Sequence, residues 1–148
     1  ENEIQAYEDY YNSGGGIFLA ALSNSSLNAT ALNEFLSWTG FAFTGFKVPN
    51  GDYPTLIDII DPHIITSGIN GFHYLGAIIS IPIDGHRLAR YGSSPVMGYK
   101  EGAAGGKLVI TGSNFMLDNY GLLGLYEGAD NNDLLALRIV LWCAGMLV

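Results

Sequence analysis

The amino-acid sequence predicts an α/β domain with three layers, in which a mainly parallel central sheet carries an antiparallel β addition. Two short, uninterrupted apolar runs, at 17–22 and 108–110, are typical of strands that are buried on both faces. A helical pattern over 1–13 ends at the glycines of 14–16, directly before the first apolar run. A helix, a glycine cap and a buried strand make up half of a parallel βαβ unit.

The whole chain, 1–148, is predicted to form one domain, because its length suits one core better than two. Apolar spacing predicts further helices at 28–38 and 131–144. Strands are predicted at 77–83 and 96–100, paired antiparallel through a loop that contains His86, Arg87 and Arg90. No strand pattern precedes the first helix, so we expect the first strand or strands of the domain upstream of residue 1.

The composition argues against several classes of partner. The net charge is −8, and the six Lys and Arg residues are scattered, whereas binding to nucleic acid requires clustered cations. No stretch approaches the ~20 apolar residues of a transmembrane helix. Cys143 is the only cysteine, which excludes a disulfide within the chain.

Two tripeptides with the glycosylation pattern begin at Asn24 and Asn28. Together with the low lysine content, they favour an extracellular or cell-surface protein that carries glycans at these asparagines. We therefore expect a glycoprotein outside the cell.

The sequence contains few candidate catalytic or metal-binding residues. Ser113 follows the apolar run at 108–110, but the Gly-x-Ser-x-Gly pattern is absent, and a turn at the end of a strand explains the Gly112-Ser113-Asn114 sequence. The three histidines lack metal-ligand spacing, and the glycines of 102–106 precede a strand instead of opening a helix. The oxygen-rich stretch 130–133 suits either Ca²⁺ ligation or helix capping. We predict no metal site and no cofactor.

Four separated blocks resemble one family, the non-catalytic class I glutamine-amidotransferase-like domains. These domains occur beside site-1-type subtilisin-like proteases, in intraflagellar transport proteins and in microbial surface proteins. The blocks are the helix and strand of 1–22, HIITSGI at 63–69, GKLVITGSNF at 106–115 and the closing helix that ends in WCAG at 142–145. Ile64 stands where the family usually has Pro, and the Asp expected after Gly112 is missing.

The resemblance implies a flavodoxin-like, amidotransferase-like sheet without catalytic residues. An active enzyme of this fold has a Cys on the turn after the strand at 17–22, where this chain has Ala20, Ala21 and Leu22. A His-x-Glu would follow the strand at 107–111, where this chain has Gly112 and Ser113. The resemblance therefore implies that the chain does not hydrolyse glutamine.

We therefore predict a non-enzymatic binding or scaffolding module of a larger extracellular protein, with an accessory domain or processed fragment of a secreted subtilisin-like protease as the alternative. The expected partner is another protein or the remainder of the parent polypeptide, and self-association is left open. Open α/β sheets bind ligands at the carboxyl ends of their strands. That rule gives the candidate ligand-binding residues Ser23, His63, Ser113, Asn114 and Asp118.

Overall fold

The computed structural model of the chain describes residues 2–22, 29–49, 51–118, 122 and 131–147. Three α-helices lie in these ranges, namely α1 (Asn2–Asn12), α2 (Ala29–Leu36) and α3 (Asn132–Cys143). The strands of the same ranges are β1 (Gly16–Ala20), β2 (Ala42–Val48), β3 (Thr55–Ile57), β4 (Ile59–Ile60), β5 (Phe72–Tyr74), β6 (Gly76–Ser80), β7 (His86–Tyr91), β8 (Ser94–Glu101) and β9 (Lys107–Thr111). The protein is thus a mixed α/β structure, as predicted.

The main sheet is mixed and mostly antiparallel, which corrects the expectation of a mainly parallel sheet. Its strand order is β1-β9-β8-β7-β4, and β1–β9 is its parallel pair. Short connections explain the difference: residues 102–106 join β8 to β9, and Gly92 with Ser93 joins β7 to β8. A parallel pair needs a crossover of about a dozen residues, so links this short enforce antiparallel pairing.

The antiparallel addition differs in its partners from the one predicted. β6 pairs with β2, and β8 pairs with β7 and β9, so the segments expected to pair with each other lie in different sheets. Residues 86–91, predicted as a loop, form β7. The polar His86, Arg87 and Arg90 obscured a strand whose central Leu88 and Ala89 are buried.

Each face of the five-stranded sheet packs against its own apolar cluster. Val109 faces a core that it shares with α3 and β5, while its neighbours Leu108 and Ile110 face a core shared with α1, α2 and the β2–β6 pair. This alternation follows from the two-residue period of a strand. The uninterrupted apolar sequence of β9 is therefore explained by burial on both faces, as the sequence predicts.

Candidate functional site

The tip of β9, where the sequence places Ser113, is closed by the protein's own backbone. Ser113 is buried, and its hydroxyl donates to the Leu75 carbonyl oxygen at 2.6 Å and accepts from the Phe115 amide at 3.0 Å. The neighbouring Gly112 lies so close to Ala77 that a Cβ would overlap the Ala77 carbonyl oxygen. The serine hydroxyl thus holds two chain segments together.

The other candidate residues are distributed along different parts of the chain. Ser23, Asn24 and Asn28 lie outside the described residues. Asn114 and Asp118 flank the 3₁₀ turn Phe115–Leu117, in which the Leu117 amide donates to the Asn114 carbonyl oxygen at 2.8 Å. Ser113, Asn114 and Asp118 therefore share one local segment, whereas the contacts of His63 lie with other elements.

His63 belongs to a tightly hydrogen-bonded turn between β4 and β5. The Thr66 hydroxyl accepts from the His63 amide at 3.0 Å and donates to the Asp61 carbonyl oxygen at 2.8 Å. The Ile65 amide donates to His63 Nδ1 at 3.2 Å. Because Nδ1 accepts this bond, the neutral imidazole carries its proton on Nε2. A polar Thr at this spacing after His is the sequence signal for such a turn.

The His63 ring also lies in an aromatic cluster that the sequence did not indicate. Its centroid is 4.2 Å from that of Tyr99 and 5.6 Å from that of Trp142, and His86 lies 5.1 Å from Tyr99. The Lys107 ammonium lies 5.1 Å from the Trp142 ring centroid. These residues come from β7, β8, β9, α3 and the turn, so they come together only when the chain is folded.

An open groove of about 630 Å³ runs along the same turn, and its lining includes His63, Ile64, Ser67 and Ile69. Its one carboxylate, Asp61, pairs with Arg87 through an Nη2–Oδ1 contact of 3.0 Å. The hydrogen bond from Arg87 lowers the pKa of Asp61. The groove thus combines the Asp61 carboxylate, which is paired with Arg87, with apolar and hydroxyl side chains.

His63 is expected to make the protein sensitive to mild acid. Burial lowers its pKa, Glu101 opposes the shift, and His86 adds to it. The unfolded chain therefore binds a proton more readily than the folded one. Stability is fully present above the unfolded pKa of about 6.5 and is lost as pH falls from there towards the folded pKa. Urea titrations between about pH 7.5 and pH 5 should show this loss.

The matched variant is His63→Asn, whose side-chain oxygen can occupy the position of Nδ1 and accept from Ile65 without titrating. We expect His63→Asn to flatten the pH dependence in this range. His86→Asn removes the smallest of the three contributions to the His63 shift, together with a ring contact to Tyr99, and should retain most of the pH dependence. Equal slopes in the wild-type protein and His63→Asn would refute this assignment.

Cys143 is a poor nucleophile, and the described ranges contain no cluster suited to a metal ion. Burial raises the pKa of the Cys143 thiol to about 11, so the reactive thiolate is scarce near neutral pH. In the described ranges, no three side chains of His, Cys, Asp or Glu converge to hold a metal ion. No helix in those ranges is long and apolar enough to cross a membrane.

Helix α3 is apolar on its solvent side as well as on its core side. Leu135, Ile139 and Trp142 are buried, whereas Leu137 is 55% exposed and Val140 is 52% exposed. Leu134 within the helix and Ala144 at its C-cap continue the exposed side, and the two charged residues of the helix are Asp133 and Arg138. We call Leu134, Leu137, Val140 and Ala144 the outer face of α3. An unpaired apolar helix face of this kind is typical of a surface that another protein covers.

Arg138 fixes the position of α3 relative to the His63 turn. Its Nη2 donates to the Ile64 carbonyl oxygen at 2.6 Å, and its Nε lies 3.1 Å from the carbonyl oxygens of both Ile64 and Ile65. The guanidinium thereby satisfies carbonyl groups of the turn from the side of the helix. The turn, the aromatic cluster and α3 therefore form one connected unit, and this unit supports the outer face of α3.

Comparison with known proteins shows a shared fold. No family model matches the sequence, and no curated protein matches it. Among solved structures, the chain is similar to the IFT52 N-terminal domain, with a TM-score of 0.75 and 21% identity over 96% of this chain and 70% of that one. It is also similar to a cytoplasmic protein of Salmonella typhimurium LT2, with a TM-score of 0.61 and 15% identity over 99% of this chain and 60% of that one.

These findings support one of the groups of proteins that the sequence resembles, and they correct the expected location of the protein. The match to an intraflagellar transport domain agrees with one of the groups that the sequence resembles, and neither structure is titled an amidotransferase or a subtilisin-like protease. The expected extracellular or cell-surface location is wrong. One match is a component of intraflagellar transport and the other is a protein titled cytoplasmic, and both point away from the outside of the cell.

Proposed function

We propose that this chain is a non-enzymatic protein-interaction module and that it docks a protein through the outer face of α3. The observation that carries the proposal is that Leu137 and Val140 are each about half exposed on a helix whose opposite side is fully packed. Leaving large apolar side chains in water costs roughly 1.5–3 kcal/mol each relative to burial. Because Leu137 and Val140 are about half exposed, a partner that covers this face recovers about half of that free energy for each.

Two further observations support this proposal. The hydroxyl of Ser113 and the Thr66 hydroxyl are both engaged with backbone groups, which leaves them ill placed for catalysis. The similarity to the IFT52 N-terminal domain concerns the fold, and it adds weight because that domain belongs to a component of a transport complex. A folded domain that presents an unpaired apolar helix face is suited to a scaffolding role.

A photo-crosslinking amino acid placed at Leu137 tests the proposal in the native cell. We expect a discrete adduct, and we expect Val140→Glu on the same helix face to reduce its yield about tenfold, because a buried charge weakens the interface. The mass of the adduct then identifies the partner. Adduct formation is measured by denaturing electrophoresis and mass spectrometry.

Ile83 provides the matched control, because it is fully exposed on the turn between β6 and β7. The crosslinker at position 83 should give no discrete adduct. The proposal fails if position 137 also gives none, or if the purified chain hydrolyses glutamine or a simple ester and Ser113→Ala abolishes that activity.

A further inference from the structure

A second open groove, of about 550 Å³, lies where the end of β2 meets the turn between β7 and β8. Its described lining includes Phe46, Val48 and Ile78 from the β2–β6 pair and Tyr91 and Ser94 from the β7–β8 hairpin. Pockets that bind small molecules occupy about 300–1,000 Å³ and are lined mostly by apolar and aromatic side chains with a few polar groups. The groove matches this description in both size and lining.

A bulge in β2 places Phe46 at this groove. The pairing of β2 with β6 is interrupted before Lys47, where three residues of β2, at 44–46, lie opposite the single residue Ile78 of β6. The Thr44 hydroxyl donates to the Ile78 carbonyl oxygen at 3.2 Å and accepts from the Phe46 amide at 3.4 Å, and these bonds hold the bulge in shape. Bulges re-aim side chains and are common beside functional sites.

Two aromatic side chains of the groove remain in contact with water. Phe46 is 70% exposed and Tyr91 is also exposed, whereas Val48 is buried and Ile78 is half-buried. Aromatic rings stack favourably on one another, and removing their area from water is favourable as well. The lining therefore favours an occupant with a flat, apolar body.

Lys47 supplies the charge at this groove, and it is the charged residue among the described lining. Its Nζ lies 3.3 Å from Asp52 Oδ1, but the Asp52 side chain is 95% exposed. An ion pair this accessible to water contributes little to stability, so a carboxylate bound in the groove can take the place of Asp52. Because Lys47 repels a cation, the groove favours an acid over an amine.

Other ion pairs of the described chain are less easily exchanged than the pair at Lys47. Arg87 pairs with Asp61 and Lys100 pairs with Asp84, and both of these carboxylates are less exposed than that of Asp52. The net charge of −8 opposes anion binding over most of the surface. An anion is therefore retained only beside a cation that it can reach, and Lys47 is such a cation.

We propose that this groove binds a small organic acid that has a flat apolar body and one carboxylate. The apolar body packs against Phe46 and Tyr91, and the carboxylate pairs with the Lys47 ammonium in place of Asp52. The hydroxyl groups of Tyr91 and Ser94 add hydrogen-bond donors at the same groove. This inference goes beyond the proposed function, and it uses none of the residues of the outer face of α3.

Amide NMR spectra of the purified chain test the proposal with three probes that share one ring system, namely naphthoate, naphthylmethanol and naphthylmethylamine. Naphthoate shifts the amide signals of Gly45, Ile78 and Ser94 saturably, with a dissociation constant below about 1 mM. The neutral alcohol binds about fivefold more weakly than the acid, and the amine binds most weakly, because Lys47 attracts only the carboxylate.

Two variants separate the charge from the apolar contact. Lys47→Gln removes the charge, so it weakens naphthoate binding about fivefold and leaves the affinity for the alcohol within about twofold. Phe46→Ala removes an aromatic wall and weakens the binding of the acid and the alcohol alike, by about tenfold. Tyr53→Ala is the matched control, because Tyr53 is also an exposed aromatic residue but is not among the described lining. It leaves all three affinities unchanged.

Several results would overturn the proposal. Naphthoate that gives no saturable shift, or shifts only signals of the His63 turn or α3, does not occupy the groove. An alcohol or amine that binds as tightly as naphthoate shows that the groove does not select an acid. An uncharged oligoproline peptide that shifts the groove signals where naphthoate does not assigns the groove to an extended polypeptide. The comparison of the three probes on the wild-type chain decides the matter even if a variant is unfolded by circular dichroism.

Discussion

Gly112→Ala is expected to lower the free energy of unfolding by about 3 kcal/mol, the upper part of the range for overpacking a core. Gly112 is buried, and a Cβ there would overlap the Ala77 carbonyl oxygen and the Tyr74 hydroxyl. The Ala77 amide donates to the Gly112 carbonyl oxygen at 2.7 Å, so the two backbones cannot separate without breaking a buried hydrogen bond. Urea denaturation followed by tryptophan fluorescence measures the loss.

Gly51→Ala is the control for the added methyl group. Nothing lies within 4 Å of a Cβ at this position, and the residue is exposed. We expect the stability to change by less than about 0.5 kcal/mol, as for most surface substitutions. If Gly112→Ala were as stable as Gly51→Ala, the close approach of β6 to the end of β9 would be refuted.

Gly112 also shows how much of the fold can be predicted from the sequence. The pattern of 108–115 predicts a buried strand followed by a turn, and both are present as β9 and the segment before the 3₁₀ turn. The two apolar runs lie parallel in one sheet, as predicted, and the structure adds that they are direct neighbours. The pattern does not show which segment packs against the end of β9. Ala77 is far from Gly112 in sequence, and the only sign of its close approach is the glycine at position 112.

The aromatic cluster was beyond prediction for a related physical reason. His63 and Thr66 are close in sequence, so their hydrogen-bonded turn could be expected from turn chemistry. Tyr99 and Trp142 approach His63 only once β8 has its register and α3 has docked. β7 was missed because its outward side chains are charged or polar, and its short turn to β8 then set the antiparallel order of the sheet.

Asn132→Ala is expected to lower the free energy of unfolding by about 3 kcal/mol. The Asn132 side chain is fully buried, accepting from the His73 amide at 2.8 Å and donating to the His73 carbonyl oxygen at 2.9 Å. Alanine leaves both backbone groups without this partner, and each unsatisfied buried group costs about 1–3 kcal/mol. The loss should also loosen the first turn of α3, which hydrogen exchange at Leu135 and Ala136 can detect.

Asn33→Ala is the matched comparison, because Asn33 makes the same pair of bonds to Phe43 but is only half-buried. Water can replace a bond at a half-buried site, so its cost should be nearer 1 kcal/mol. Because both asparagines make the same two bonds, the difference in stability between the two variants measures how much burial adds to the cost of losing those bonds. Equal losses would mean that the bonds themselves, and not the exclusion of water from the edge of β5, hold α3 in place.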